Sequence, residues 1–196
     1  MTAKISESTI EILTESYKNI TFQNNDIVEL DIGCGKGSFT SALAQMYPDR
    51  QIIAADVMIG RLRKLDKRNK RLNINNIHLI RAEAWHFICS CIPDKSITRI
   101  HILCPDPWPK IKHKAHRLIS SEFIGRLSKK LKKNGILHFS TDDTEYYNSS
   151  NKIIHNTGLF IQNDHAIDDI QGIKSDFEKH WEEMDCKVNH IAWILK

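Results

Sequence analysis

Ile27-Val28-Glu29-Leu30-Asp31-Ile32, running into Gly33-Cys34-Gly35-Lys36-Gly37, is the stretch from which the fold is read. A short, mostly apolar run closed by three glycines at alternate positions describes a buried strand that ends in a tight loop. Glycine lets such a backbone turn sharply and lie close to a ligand. Beyond the loop, Phe39, Leu43 and Met46 stand at helical spacing over 38–46, and Tyr47-Pro48-Asp49 stops that helix. Strand, glycine loop and helix in this order open a parallel sheet covered by helices.

The same alternation continues along the chain. Residues 51–56 form a second apolar strand. Over 58–72, Ile59, Leu62, Leu65 and Leu72 recur so that the basic residues between them take the outer face of a helix. Asn75-Asn76 turns the chain into a strand over 77–81, followed by a short helix over 85–91 and a strand over 96–103. Ile119, Phe123, Leu127 and Leu131 repeat every four residues, a helix that Asn134-Gly135 is expected to end as its left-handed cap. A strand over 136–141, a helix over 144–156, a strand over 159–161 and a polar loop over 164–174 come next. A helical turn or two over 177–184 and a seventh strand over 187–195 complete the chain. Residues 1–24 read as a short amphipathic lead-in, with Ile10, Leu13 and Tyr17 at helical spacing.

These elements predict an α/β, Rossmann-like, doubly wound sheet with helices on both faces, in one domain spanning 1–196. Sites in such folds gather at the carboxyl ends of the strands. Asp31, Asp56, Glu83, Asp106 and Asp142 all fall at such ends, which favours an enzyme over a passive scaffold.

Composition narrows the partners. No apolar run approaches the ~20 residues that span a bilayer, and the N-terminal residues lack the basic start and apolar centre of a signal peptide. Five cysteines (Cys34, Cys89, Cys91, Cys104, Cys186), with no C-x-x-C pair, argue against a disulfide framework or a zinc site and for a reducing cytoplasm. His86, Cys89 and Cys91 read as a small core cluster, and no metal is expected. The net charge of +4 is unevenly spread. Residues 61–71 hold seven cations against Asp66, 126–133 hold five and no acid, and a third basic run covers 110–117. Three such blocks favour an anionic macromolecule, nucleic acid above all.

The third block follows the second unusual stretch, Leu103-Cys104-Pro105-Asp106-Pro107-Trp108-Pro109-Lys110. Three prolines in five residues forbid both helix and ladder, since each fixes φ and removes a donor. The chain therefore leaves the sheet as a stiff loop carrying a carboxylate and an indole. Trp108 reads as bracing that loop, with stacking on a base as the alternative.

The glycines run G-x-G-x-G rather than the G-x-G-x-x-G of a dinucleotide fold, with Ser38 where the third glycine would stand. Asp31, two residues before the first glycine, would repel a pyrophosphate but suits a ligand bearing an amino group and a sulfonium. This resembles the loop of S-adenosylmethionine (SAM) methyltransferases. Asp56, 25 residues after Asp31, is placed to take ribose hydroxyls, and Glu83 the adenine edge.

Taken with Thr141-Asp142, His113-Lys114 and Ser175-Asp176-Phe177-Glu178, the P-D-P-W-P-K stretch resembles the tRNA (guanine-N7-)-methyltransferase family over about residues 26–195. The resemblance implies a seven-stranded, mostly parallel sheet with an antiparallel C-terminal strand. It implies methyl transfer from SAM to N7 of a guanine in the variable loop of tRNA, leaving S-adenosylhomocysteine, by a monomer or homodimer. Asp31, Gly33, Gly35, Gly37, Asp56, Glu83 and Asp106 are the implied cofactor residues, with Asp106 catalytic. Lys110, Asp142, Ser175, Asp176, Phe177 and Glu178 are implied for the substrate, and Lys112, His113, Lys114, His116 and Arg117 for RNA contact. The sequence departs from the family pattern at Asp31 and Asp56, where Glu is common, and at Glu83, where Asp is usual. It departs also at Ser175 for Thr and at Ala115 and His116 in the H-x-K-R-R run. A SAM methyltransferase of another RNA site, or a non-catalytic tRNA-binding relative, are the alternatives.

Overall fold

The structure, a computed structural model, describes residues 10–12 and 27–196. Leu13 and Tyr17 of the lead-in lie outside the described residues. One sheet holds β1 (Glu11–Ile12), β2 (Val28–Ile32), β3 (Gln51–Asp56), β4 (Ile77–Arg81), β5 (Ile97–Leu103), β6 (Leu131–Thr141), β7 (Phe160–Gln162) and β8 (Asn189–Leu195). Their order is β1-β4-β3-β2-β5-β6-β8-β7, and β8 runs antiparallel to both of its neighbours. The seven expected strands and the reversed C-terminal one are thus present. The eighth, β1, pairs in parallel with β4 at the edge. It lies where helical spacing was read, and two residues are too few for any periodicity to reveal a strand.

Central strands of a parallel sheet are covered on both faces, so they carry near-continuous apolar runs; all five residues of β2 are buried. On one face α1 (Ser38–Met46) and α2 (Ile59–Leu72) bury Phe39, Leu43, Leu62 and Leu65. On the other, α3 (Ala84–Ser90), α4 (Ser121–Lys130) and α5 (Thr144–Asn156) bury Phe87, Phe123, Leu127, Tyr146 and Ile154. The last helix, α6 (Asp176–Glu183), opens on a capping box made by Ser175 and Glu178.

Two expectations are corrected. The 164–174 stretch is no simple polar loop. It forms a 3₁₀ turn, Asp164–Ile170, that sends Ile167 and Ile170 into the core cluster under α1 and α2, joined by Ile173 just past the turn. A threefold spacing fits the three residues per turn of a 3₁₀ helix. Asn134-Gly135 does not cap α4, which ends at Lys130 with β6 following at once. Of that pair Asn134 has positive φ (59°), inside a bulge where Ile97 pairs with Leu131 but Arg99 with Ile136.

β2 has β3 on one side and β5 on the other, so the strand order reverses there. Crevices at such reversals, beyond the carboxyl ends of the strands, are where open α/β sheets bind ligands.

Candidate cofactor and substrate cleft

Beyond those ends lies a cleft of two contiguous parts, about 320 Å³ and about 250 Å³. Gly33, Arg61, Leu103 and Phe177 line both parts. The first adds Asp31, Gly35, Lys36, Phe39 and Asp176. The second adds Asp56, Glu83, Asp106, Trp108 and His116. Residues from five separate stretches of sequence therefore meet in one place.

The glycine loop is built as its composition requires. Gly33, Gly35 and Gly37 all have φ between 59° and 76°, a region L side chains rarely adopt. Gly37 is the tightest, because a Cβ there would stand 2.4 Å from Leu65 Cδ1. Asp56 fastens the loop from β3: its carboxylate accepts from the Gly35 N–H at 3.0 Å and the Met58 N–H at 2.7 Å, with Arg61 Nη1 at 3.4 Å. Asp31 lies behind the loop, 2% exposed, and accepts the Thr40 hydroxyl at 2.6 Å. Burial raises its carboxyl to about 6, against the partly opposing Thr40 bond. Glu83 caps α3, accepting from the Trp85 and His86 N–H groups at 2.9 and 2.8 Å. Among the cofactor candidates, Asp31, Gly33, Gly35, Asp56, Glu83 and Asp106 line the cleft, whereas Gly37 stands behind it against α2.

Asp106 is exposed on a loop held in an uncommon conformation: Cys104 before it and Trp108 after it have φ of 46° and 43°. Arg117 braces this loop. Its Nε donates to the Pro107 carbonyl at 2.7 Å, its Nη2 to Glu145 at 2.5 Å, and its guanidinium lies 4.6 Å from the Tyr146 ring centroid. Its side chain is 8% exposed. Arg117, expected to meet RNA, is thus also a largely buried support of the loop, with its guanidinium engaged by Pro107 and Glu145. Lys114 pairs with Glu145 at 3.0 Å, and the two cations hold that carboxyl at about 2. Trp108, His113 and His116 form a cluster of three rings with centroids 5.1–5.9 Å apart. Lys110 and Lys112 are exposed on the same segment.

The α6 turn closes the other side. Asp176 accepts from both the N–H and the hydroxyl of Ser38, at 3.1 and 2.6 Å, so it caps α1 from across the cleft. Phe177 stands 48% exposed between the two parts. Ser175 lines the first part. Glu178 is turned away: one carboxylate oxygen accepts the Ser175 N–H and the other meets His190 Nε2 at 3.0 Å. Asp142 is half-buried just past β6, and Asp143 beside it caps α5.

The basic blocks divide. Arg61 reaches the cleft wall and Arg68 bonds Ser38 at 3.1 Å, which brings the start and middle of α2 to the site. The 126–133 block lies at the opposite, amino-terminal ends of the central strands, where the Lys129 and Lys130 carbonyls hold the residues just before β5. Nothing in the sequence marks Thr40, and Ser38 and Arg61 stand out only as the substitute for a third glycine and as part of a basic block, because their partners lie 5 to 138 residues away.

A cleft at this reversal, with a buried acid behind a glycine loop and acids ending the next two strands, defines a Rossmann-like, class I SAM-dependent methyltransferase. The solved structure of the 16S rRNA methyltransferase KamB shares the fold, with a TM-score of 0.64 at 15% identity over 87% of this chain and 88% of that one. A family model described as "Putative methyltransferase" matches residues 25–191. The tRNA (guanine-N(7)-)-methyltransferase of Geobacter metallireducens is 37% identical over 136 residues, 69% of this chain and 64% of that protein's own length. That of Neisseria meningitidis serogroup C is 31% identical over 193 residues, 93% of this chain and 76% of the relative. The chain belongs to the tRNA (guanine-N(7)-)-methyltransferase family.

Proposed function

We propose that this chain moves the methyl group of SAM to N7 of a guanine in the variable loop of tRNA, in the cytoplasm. The observation that carries this reading is the single cleft whose shared wall joins Asp31 and the glycine loop to Asp106 and Trp108. Bound SAM supplies an electrophilic methyl on a sulfonium. The residues present fit that ligand. Asp31 is a desolvated acid that a cationic amino group would ionise. Asp56 and Glu83 each spend two acceptor positions on backbone N–H groups. A carboxylate has about four, which leaves some for ribose hydroxyls and the adenine edge.

Guanine N7 carries an in-plane lone pair and no proton. The N7–carbon bond forms as the sulfur–carbon bond breaks, S-adenosylhomocysteine leaves, and no base is required. The protein's work is orientation and stabilisation of the positive charge arriving on the guanine imidazole ring. Asp106 is the carboxylate offered to that charge, held by two strained residues and by Arg117. Asp142, half-buried just past β6, and Lys110, exposed on the Asp106 segment, are assigned to the base and its phosphate. Phe177 and Trp108 offer ring faces to a base drawn out of its stack. Lys112, Lys114, His113 and His116 extend the surface toward RNA phosphates.

The test is incubation of purified protein with isotopically labelled SAM and unmodified tRNA, followed by nucleoside mass spectrometry. Labelled 7-methylguanosine is expected. Label at another position, or none, would overturn the proposal.

A further inference from the structure

Under α1, on the face of the sheet away from α4, five titratable side chains make an unbroken line across four strands. Glu29 of β2 meets His101 of β5 (Oε2···Nε2, 2.9 Å). His101 meets His138 of β6 (Nδ1···Nδ1, 3.0 Å). His138 meets His190 of β8 (Nε2···Nδ1, 2.9 Å), and His190 meets Glu178 of α6 (Nε2···Oε1, 3.0 Å). Glu29, His101 and His138 are at most 2% exposed. Phe39 of α1 packs its ring edge-on against His101 and His138.

The line ends in a carboxylate on both sides, and that settles how many protons it holds. A neutral imidazole brings one N–H, and an ionised carboxylate brings none. Three neutral rings therefore supply three hydrogens for four contacts. With only three, one contact sets lone pair against lone pair inside the protein, which costs far more than an ordinary missing bond. Four contacts of 2.9–3.0 Å call for a fourth proton.

The surroundings say where it sits. Glu29 already has Arg50 as an ion-pair partner and Arg99 Nε at 3.8 Å. Burial would raise its carboxyl, yet the bond from His101, with Arg99 and Arg50, holds it at about 2. The His101 side chain is fully buried, whereas that of His190 is 29% exposed to water that can solvate a charge. His138 is enclosed between two other rings, and burial disfavours charge on it. Among the described residues, the basic side chain within 4 Å of a Glu178 carboxylate oxygen is His190. The other charged or titratable groups acting on Glu178 and its neighbourhood are Lys174, whose own partner is Glu182, and Cys104 and Asp142 on the cleft side.

We propose that His190 is a positioning residue for the methyl-transfer cleft. It carries the fourth proton as an imidazolium, and this charge fixes Glu178 and, through the α6 capping box, the Asp176–Phe177 wall. The mechanical connection is direct. Glu178 Oε2 accepts the Ser175 N–H, the Ser175 hydroxyl accepts the Glu178 N–H at 3.1 Å, and Asp176 reaches the head of α1 from the same turn. The role of that wall rests on the function proposed above; the proton count does not.

Glu178→Gln isolates the charge. Its amide oxygen keeps the Ser175 N–H, while its NH₂ donates to His190 Nε2. All four contacts are then met with three neutral rings. In the wild type at pH 7, imidazole ¹⁵N–¹H correlation spectra are expected to show His190 with a proton on both nitrogens. In Glu178→Gln the same ring is expected to carry one. As wild-type pH rises through the titration of that ring, protection of the Glu178 and Lys179 amides against hydrogen exchange should fall about tenfold or more, the usual worth of a charge-assisted bond. SAM affinity should weaken over the same range, and neither change is expected in Glu178→Gln.

A singly protonated His190 in the wild type, or a doubly protonated one that survives Glu178→Gln, would overturn the assignment. Amide protection that ignores the ring's titration would overturn the positioning role. A protein that shows the charge and the protection change but binds no SAM at any pH would instead overturn the function proposed for the cleft.

Discussion

Asp31→Asn is expected to make the ligand-free protein more stable while it weakens SAM binding. Burial lifts this carboxyl from 3.8 to about 6, so the fold holds the ionised form at a disadvantage. At about 1.4 kcal/mol for each tenfold change in proton affinity, the cost is about 3 kcal/mol. The sign follows from which state binds the proton. Between about pH 4 and 6 the native state keeps a proton that the unfolded chain has released, so stability falls as pH rises and the full cost is present above 6. Asn keeps an acceptor for the Thr40 hydroxyl and cannot ionise. The variant should therefore exceed the wild type by up to about 3 kcal/mol at pH 7.5 and converge with it near pH 4. Urea melts across this range read the difference. Calorimetry reads the other half: SAM affinity for the variant drops roughly tenfold to a hundredfold, the loss of a charge-assisted bond. Wild-type affinity should also decline below pH 6, with a proton released on binding. A variant less stable than the wild type at pH 7.5, or one that binds SAM unchanged, would refute the reasoning.

Asp106→Asn should cut the single-turnover rate at saturating SAM and tRNA by about 10²–10³, with the SAM dissociation constant little changed. An early melt with normal turnover per folded molecule would make Asp106 a loop brace instead. Gly37→Ala forces a Cβ to 2.4 Å from Leu65 Cδ1 at φ 76°. It should lower Tm by about 2–8 °C, and an unchanged melt would show that α2 yields freely. Lys112→Ala should reduce the slope of log affinity for tRNA against log salt by about 0.7–0.9, whereas an unaltered slope would remove Lys112 from the RNA surface.

What was legible in the sequence, and what was not, divides by distance along the chain. Helix α5 occupies the 144–156 span read from the sequence, and the cleft acids stand at strand ends as read. Such features are written within a dozen residues. The 164–174 stretch was misread because Asp, Gln and Gly dilute three isoleucines whose period suits a 3₁₀ turn. Asn134-Gly135 carries the signal of a helix end, but the long-range pairing of Ile97 with Leu131 ends the helix sooner. Arg117 stands in a basic run, so charge alone points it to RNA. Only the fold brings it Pro107, Glu145 and Tyr146. His101, His138 and His190 are isolated polar residues in apolar strands, and their line exists only once four strands lie side by side.

The central claim concerns one atom, N7 of guanine, and a substrate that lacks it gives the most direct test. Two tRNA transcripts identical except for guanosine or 7-deazaguanosine, which has carbon in place of N7, would each be incubated with labelled SAM. The account predicts label in the guanosine transcript and none in the deaza transcript. Equal label in both would contradict it.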